Sequence, residues 1–299
     1  QRHVAVVAQL VERQVVVLDV AGSSPVDRPT RPLSETHPMQ IRLDGRTALI
    51  TGGSKGLGRA MAEAFLEAGA AVAIVARRQA ELEAARADLA ARFQGARIAA
   101  ISADVSTAEG CAHAAASAAA ALGPVDILVN NAGTSQRGAF LEVDDALWQA
   151  DLDLKLFAAI RLTRAVWPGM AAKGWGRVIN VLNTGAKAPA AESCPTSVSR
   201  AAGMALTKVL ANEGGPLGIL VNAMLVGIIE SDQWVRRHAS DPRGLSWEAW
   251  KKDAAKGVPL GRIGKAEEFA ALATFLCSEQ GGYVTGTAIN VDGGRTPVV

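Results

Sequence analysis

A single tyrosine, Tyr283, and an aromatic content of 4% in 299 residues mean that any phenol chemistry has one place to come from. Cysteine is scarce as well. Cys111, Cys194 and Cys277 are far apart, odd in number and without metal-ligand spacing. They argue against a disulfide-stapled secreted scaffold and against a metal site, and read as reduced thiols of a cytoplasmic protein. No apolar run approaches the roughly 18 residues that span a bilayer. Charge of one sign is lacking too: a net charge of +2 gives no reason to expect nucleic acid or a membrane as partner. What remains is a chain that is 49% hydrophobic and long enough to bury most of its apolar surface without staples.

Residues 1–38 differ from the rest. They carry Pro25, Pro29, Pro32 and Pro38, and their valine clusters are broken by Glu12, Arg13 and Asp19. No amphipathic period is present that would dock on a core, and the pattern is not that of a secretory signal. The run Val7-Ala-Gln-Leu-Val-Glu-Arg and the later Ala21-Gly-Ser-Ser-Pro-Val resemble a peptide translated through a transfer-RNA gene. That resemblance implies a natural start at Met39 and a domain over 39–299. A disordered natural extension is the alternative.

From Ile41 onward, short apolar runs alternate with longer alanine-rich stretches. Strands are expected at Thr47–Thr51, Ala71–Ala76, Arg97–Ala103, Asp126–Asn130, Gly176–Leu182, Ile219–Leu225 and Ala288–Val291. Helices are expected at Arg59–Ala68, Gln79–Phe93 and Ala108–Leu122, over Asp144–Met170 in two pieces, and through Asn212. Strands separated by helices of this length require right-handed crossovers. The pattern predicts one α/β domain, a doubly wound parallel sheet of about seven strands with helices on both faces.

Thr51-Gly-Gly-Ser-Lys-Gly-Leu-Gly58 follows the first strand and opens the first helix. Small residues there let the backbone turn sharply and approach a pyrophosphate, to which the helix N-terminus offers free N–H groups. Four further motifs follow in order: Asp104-Val105, Asn130-Asn-Ala-Gly133, Leu260-Gly-Arg-Ile-Gly-Lys-Ala-Glu-Glu268 and Asp292-Gly-Gly294. Together they resemble the short-chain dehydrogenase/reductase family over essentially Met39–Val299. The resemblance implies a Rossmann-type fold, an oxidoreductase acting on a small molecule, and a homodimer or homotetramer. It also implies that the dinucleotide is bound by Gly52, Ser54, Lys55, Gly56, Leu57, Gly58, Asp104, Val105, Asn130, Ala132, Gly133, Gly227 and Ile228.

NAD-selective members of that family place a carboxylate at the end of the second strand. Here the position is Ala76, followed by Arg77 and Arg78, with Lys55 inside the glycine loop. Cationic donors suit a 2′-phosphate, so NADP(H) is expected over NAD(H), with Arg77 as a contact. Solvated surface charge is the other reading of these arginines.

The family's chemistry rests on a serine, a Tyr-x-x-x-Lys pair and a relay asparagine, and the chain departs at all four positions. They read Asn183, Thr196, Arg200 and Lys155. Tyr283 cannot stand in, because the family's C-terminal motif carries it, and it reads as structural. Arg200 can hold ribose hydroxyls and stabilise an oxyanion, but stays protonated. Lys155 can supply a proton if burial lowers its pKa; otherwise it is a surface lysine on a long helix. A lid over about 228–258 contains Trp234, Trp247, Trp250 and His238. Its tryptophans point either to an apolar or aromatic substrate or to packing of the lid itself, and His238 reads as an exposed lid residue. Three functions fit these residues: an NADPH-dependent reductase with a rearranged proton donor, suited to substrates needing little acid assistance such as activated alkenes; a dinucleotide-binding pseudoenzyme; and a non-redox lyase or epimerase.

Overall fold

The computed structural model describes residues 40–299, leaving aside the side chains of Asp232, Gln233 and Arg236. The expectations for residues 1–38 and for a start at Met39 lie outside the described residues. Seven strands form one sheet: β1 (Thr47–Thr51), β2 (Ala71–Ala76), β3 (Ile98–Ser102), β4 (Ile127–Asn130), β5 (Gly176–Asn183), β6 (Ile219–Val226) and β7 (Ala288–Val291). Their order is β3-β2-β1-β4-β5-β6-β7, and every neighbouring pair is parallel.

Side chains alternate across this sheet with period two. Ala48 and Ile50 of β1, with Val72 and Ile74 of β2, face a core completed by Met61, Phe65, Leu82, Leu89 and Phe269. Leu49, Ala73 and Val75 face the other side, where Ala114, Ala118, Leu162, Val166 and Met170 close a second core. Both faces are therefore covered. Helices α1 (Gly56–Glu67), α2 (Gln79–Arg92) and α9 (Ala266–Cys277) lie on the first side, and α3 (Ala108–Leu122) and α5 (Ala158–Lys173) on the second. The alanine-rich α3 packs directly on α5, as small side chains permit.

Between these lie α4 (Asp145–Leu152), α6 (Thr196–Gly214), α7 (Asp232–Ala239) and α8 (Trp247–Ala254). Asp144 caps α4 by accepting from Leu147 N at 2.8 Å. The expected break between α4 and α5 is instead a π-helical stretch, Asp153–Phe157, which keeps the chain winding without a loop. Helix α1 begins at Gly56 rather than at the expected Arg59, because the last glycines of the loop already form its first turn. Helix α9 was not expected. Its buried Phe269, Ala270, Ala273, Thr274, Leu276 and Cys277 form one face, but Ala271, Leu272 and Phe275 make the rest of the helix apolar too, so the stripe does not stand out. A two-residue ribbon, Arg137–Gly138 against Cys194–Pro195, is too short to show as alternation. Among the described residues no helix is long and apolar enough to cross a membrane.

Candidate active site

The sheet order reverses between β1 and β4, and there the loops after their carboxyl ends part to leave a crevice. The opening is a cleft of about 1000 Å³. Thr51 ties its floor together. Its hydroxyl accepts from the backbone N–H groups of Asn131 and Ala132, each at 2.9 Å, and donates to Val129 O. The Asn131 amide donates back to Thr51 O at 2.8 Å. Gly52 has φ +65°, where a Cβ would sit 2.9 Å from Asn131 Nδ2. At Gly58 a Cβ would run into Gly52 O. The loop thus presents bare backbone to the cleft. The N-cap residue of α1, Lys55, makes no side-chain capping bond, so first-turn N–H groups are available to an anion.

Gly52, Ser54, Lys55, Gly56 and Leu57 line the cleft from this loop, and Arg77, Asp104 and Val105 line it from the ends of β2 and β3. Lys55 is not free there. Its Nζ pairs with Glu81 Oε2 at 3.0 Å, and Arg78 pairs with Glu81 Oε1 at 2.7 Å. Bonds from Arg78 and then Lys55 hold the Glu81 carboxyl below its ordinary range. Sequence reading missed Glu81, although its position three residues after Arg78 on a helix is the signal of such a pair. Arg77 forms no ion pair among the described residues. Burial pushes the Asp104 carboxyl up, but bonds from Ser106 and the charge of Arg77 outweigh it and leave it lowered.

Ala132, Gly133, Asn183, Thr196, Arg200 and Gly227 line the far part of the cleft. Arg200 is half-buried below Gly133, where a Cβ would lie 2.6 Å from Nη2, and Nη1 donates to Val181 O at 2.9 Å. Burial brings this guanidinium down to about 10, with Asp151 opposing. Asn183 Oδ1 and Ser197 Oγ are buried without a hydrogen-bond partner among the described residues, and both lie close to Gly185.

Lys155 is not a surface lysine. The π-helical stretch turns it inward until its side chain is 1% exposed and that of Asp151 0%. Its ammonium pairs with Asp151 Oδ1 and donates to Thr196 Oγ1 at 2.7 Å. Thr196 Oγ1 also accepts from Gln136 N at 3.0 Å and donates to Gln136 O at 2.6 Å. Ser199 donates to the second Asp151 oxygen at 2.6 Å. Burial, then the charge of Arg200, lowers the Lys155 ammonium to about 8, with Asp151 acting the other way. Asp151 and Ser199 were absent from the sequence reading. The signal available was the spacing of Asp151 and Lys155, which on a helix of unknown burial reads as a solvated pair.

Several expected contacts fall elsewhere. Gly58, Asn130, Ile228 and Lys155 do not line the cleft. Asn130 donates to Asn180 Oδ1 at 2.9 Å, and Asn180 in turn to Thr207 Oγ1, so its amide is spent holding α6 to the sheet. Ile228 packs with Ala255, Val258 and Ile263 under the lid. Tyr283 is fully exposed and does not line the cleft. In the lid, Trp247 stacks on Trp250 at 5.5 Å, and Trp250 donates to Asp241. Only Trp234 of the three reaches the cleft. His238 packs edge-on to Trp247 and meets Leu245 O at 2.8 Å. The lid tryptophans mainly hold the lid together.

Comparison with known proteins agrees with this geometry. The profile of the family described as Enoyl-(Acyl carrier protein) reductase matches residues 52–296. An acetoacetyl-CoA reductase from Shinella zoogloeoides is 32% identical over 251 residues, 84% of this chain and 98% of that protein. The L-sorbose reductase from Gluconobacter frateurii, solved with NADPH and L-sorbose, is similar with a TM-score of 0.84 and 35% identity. That match covers 87% of this chain and 100% of that one. A short chain oxidoreductase from Pseudomonas aeruginosa PAO1, solved with NADPH and described as containing an atypical catalytic center, gives 0.81 and 38%, over 86% and 99% of the two chains. With the parallel sheet, the glycine loop at its reversal and these matches together, the chain belongs to the short-chain dehydrogenase/reductase family of oxidoreductases.

Proposed function

We propose that this protein is a carbonyl reductase that uses NADPH in preference to NADH and draws its proton from Lys155 through Thr196. The observation that carries the reading is the 2.7 Å bond from the buried Lys155 ammonium to a threonine hydroxyl on the cleft wall. The residues suit the cofactor. The glycine loop admits no Cβ at Gly58, the first-turn amides of α1 are uncapped, and Arg77, beside Asp104, has no ion pair among the described residues. Arg77, aided by Lys55, would hold a 2′-phosphate, and Arg200 the nicotinamide ribose. The two NADPH-bound relatives support the same preference.

A bound dihydronicotinamide supplies hydride to the substrate carbon. Thr196 is a far weaker acid than a phenol, but it need not be the proton's source. It passes its hydroxyl proton to the substrate oxygen as it takes one from Lys155, releasing Gln136 O as it turns. Asp151 holds the ammonium in place, and Asn183 and Arg200 offer donors to the developing oxyanion. The three free thiols fit a cytoplasmic setting, and the family suggests a homodimer or homotetramer.

Purified protein with NADPH is screened against ketones, enones and imines, and Thr196→Val is compared on the best substrate. The isosteric change is expected to lower kcat by about a hundredfold or more while NADPH affinity stays level. Unchanged kcat refutes the relay, and NADPH binding without turnover of any substrate favours a pseudoenzyme.

A further inference from the structure

The charges lining the cleft are unevenly spread. Its only lining carboxylates among the described residues, Glu81 and Asp104, both stand at the end built from β2 and β3. There they face Lys55, Arg77 and Arg78. The far end holds Arg137, Arg200, Arg237 and Arg295 and, among the described residues, no carboxylate.

Two of these arginines, Arg137 and Arg237, line that end together. Arg137 lies in the short ribbon, its backbone paired to Pro195 next to Thr196, and its neighbour Gln136 bonds the Thr196 hydroxyl directly. Arg237 descends from α7, its guanidinium 4.6 Å from the ring centroid of Trp234, which also lines the cleft. Neither forms an ion pair with a described residue. Burial, and then the charge of Arg137, depress the Arg237 guanidinium. Two like charges held within reach of each other and of a cleft are a repulsion that an anion between them relieves.

We infer that Arg137 and Arg237 form a subsite for an anionic group, a carboxylate or a phosphoester, carried by the substrate beside the carbonyl that faces Thr196. The inference rests on the reductase reading above and adds the substrate class to it. It differs from the expectation of an apolar substrate, because the lid presents one indole and a guanidinium to the cleft rather than three indoles.

Oxalate and inorganic phosphate are titrated into NADPH-saturated protein at constant ionic strength, read by tryptophan fluorescence and calorimetry. Saturable binding is expected, weakened about tenfold by Arg137→Gln or Arg237→Gln and left level by Arg86→Gln, at an arginine that pairs with Glu83 and does not line the cleft. Both glutamine variants are expected to melt at or above the native temperature, since each removes a repulsion. Tighter oxalate assigns a carboxylate, and tighter phosphate a phosphoester. Absence of saturable binding overturns the inference, as does an equal loss in Arg86→Gln. So does anion binding that NADPH abolishes, because the arginines would then serve the cofactor's own phosphates. Should NADPH fail to bind, the cofactor reading falls by itself. The same titrations on the free protein still decide the subsite by the contrast between Arg137→Gln and Arg86→Gln.

Discussion

Burying an ammonium costs several kcal/mol unless an opposite charge and hydrogen bonds meet it, and Lys155 is met by Asp151 and Thr196. With Arg200 also bearing on it, the ammonium sits at about 8. Reduction needs the protonated form and oxidation the neutral amine. Reductive kcat is therefore expected to hold below pH about 8 and fall above it, while the oxidative direction rises through the same range. A pH profile of both directions checks this, and a reductive rate flat to pH about 10 excludes Lys155 as the donor. The linkage has its own sign. Between about 8 and the ordinary 10.5 the unfolded chain holds this proton and the folded one does not. Stability therefore gains from this group as pH rises across that window. At the other end of the cleft, Arg77→Asp is expected to weaken NADPH about tenfold, near 1.4 kcal/mol, with NADH little affected. Calorimetry with both cofactors decides it. An equal loss for both would mean Arg77 acts on something other than the 2′-phosphate. The identities at these positions were readable from the sequence, because each is fixed by its offset from a strand end. The direction each side chain takes was not. Lys155 turns inward only because the π-helical stretch rotates it there, and Asp151 matters only because no water reaches it.

The elements themselves were legible where their periods were clean. Strands such as Ala71–Ala76 alternate between two cores, and their bounds match expectation. Helix α9 and the Arg137–Gly138 ribbon escaped for opposite reasons, one apolar on most sides and the other too short to have a period. The first turn of α1 carries the most direct test of element-level fit. A methyl at Gly58 meets the carbonyl of Gly52, a backbone atom that cannot swing aside. Gly58→Ala is expected to destabilise the fold by about 1–3 kcal/mol and to weaken either dinucleotide alike, because the loop must shift away from α1. Denaturant unfolding together with NADPH and NADH titration measures both effects. A variant with native stability would show that loop and helix are packed less closely than this geometry requires.

At the scale of the molecule, both cores and all seven strands, as far as the described residues go, are built from residues after Ile41. A chain starting at Met39 is expected to keep the melting temperature and NADPH affinity of the full sequence. Side-by-side thermal melts check this, and a loss of several degrees would assign residues 1–38 a place on the domain. The α/β class and a parallel sheet with covered faces followed from the alternation of runs, but the place where the strand order reverses did not. The charge of the cleft could not be read that way, because its arginines come from distant segments. The packing of α9 on α1 has a consequence for synthesis. Met61 and Phe65 leave the ribosome early, but Phe269 and Leu276, which share their core, arrive among the last. Until then one flank of the nascent sheet is wet and adhesive, so the glycine loop is given its rigid seat only as translation finishes.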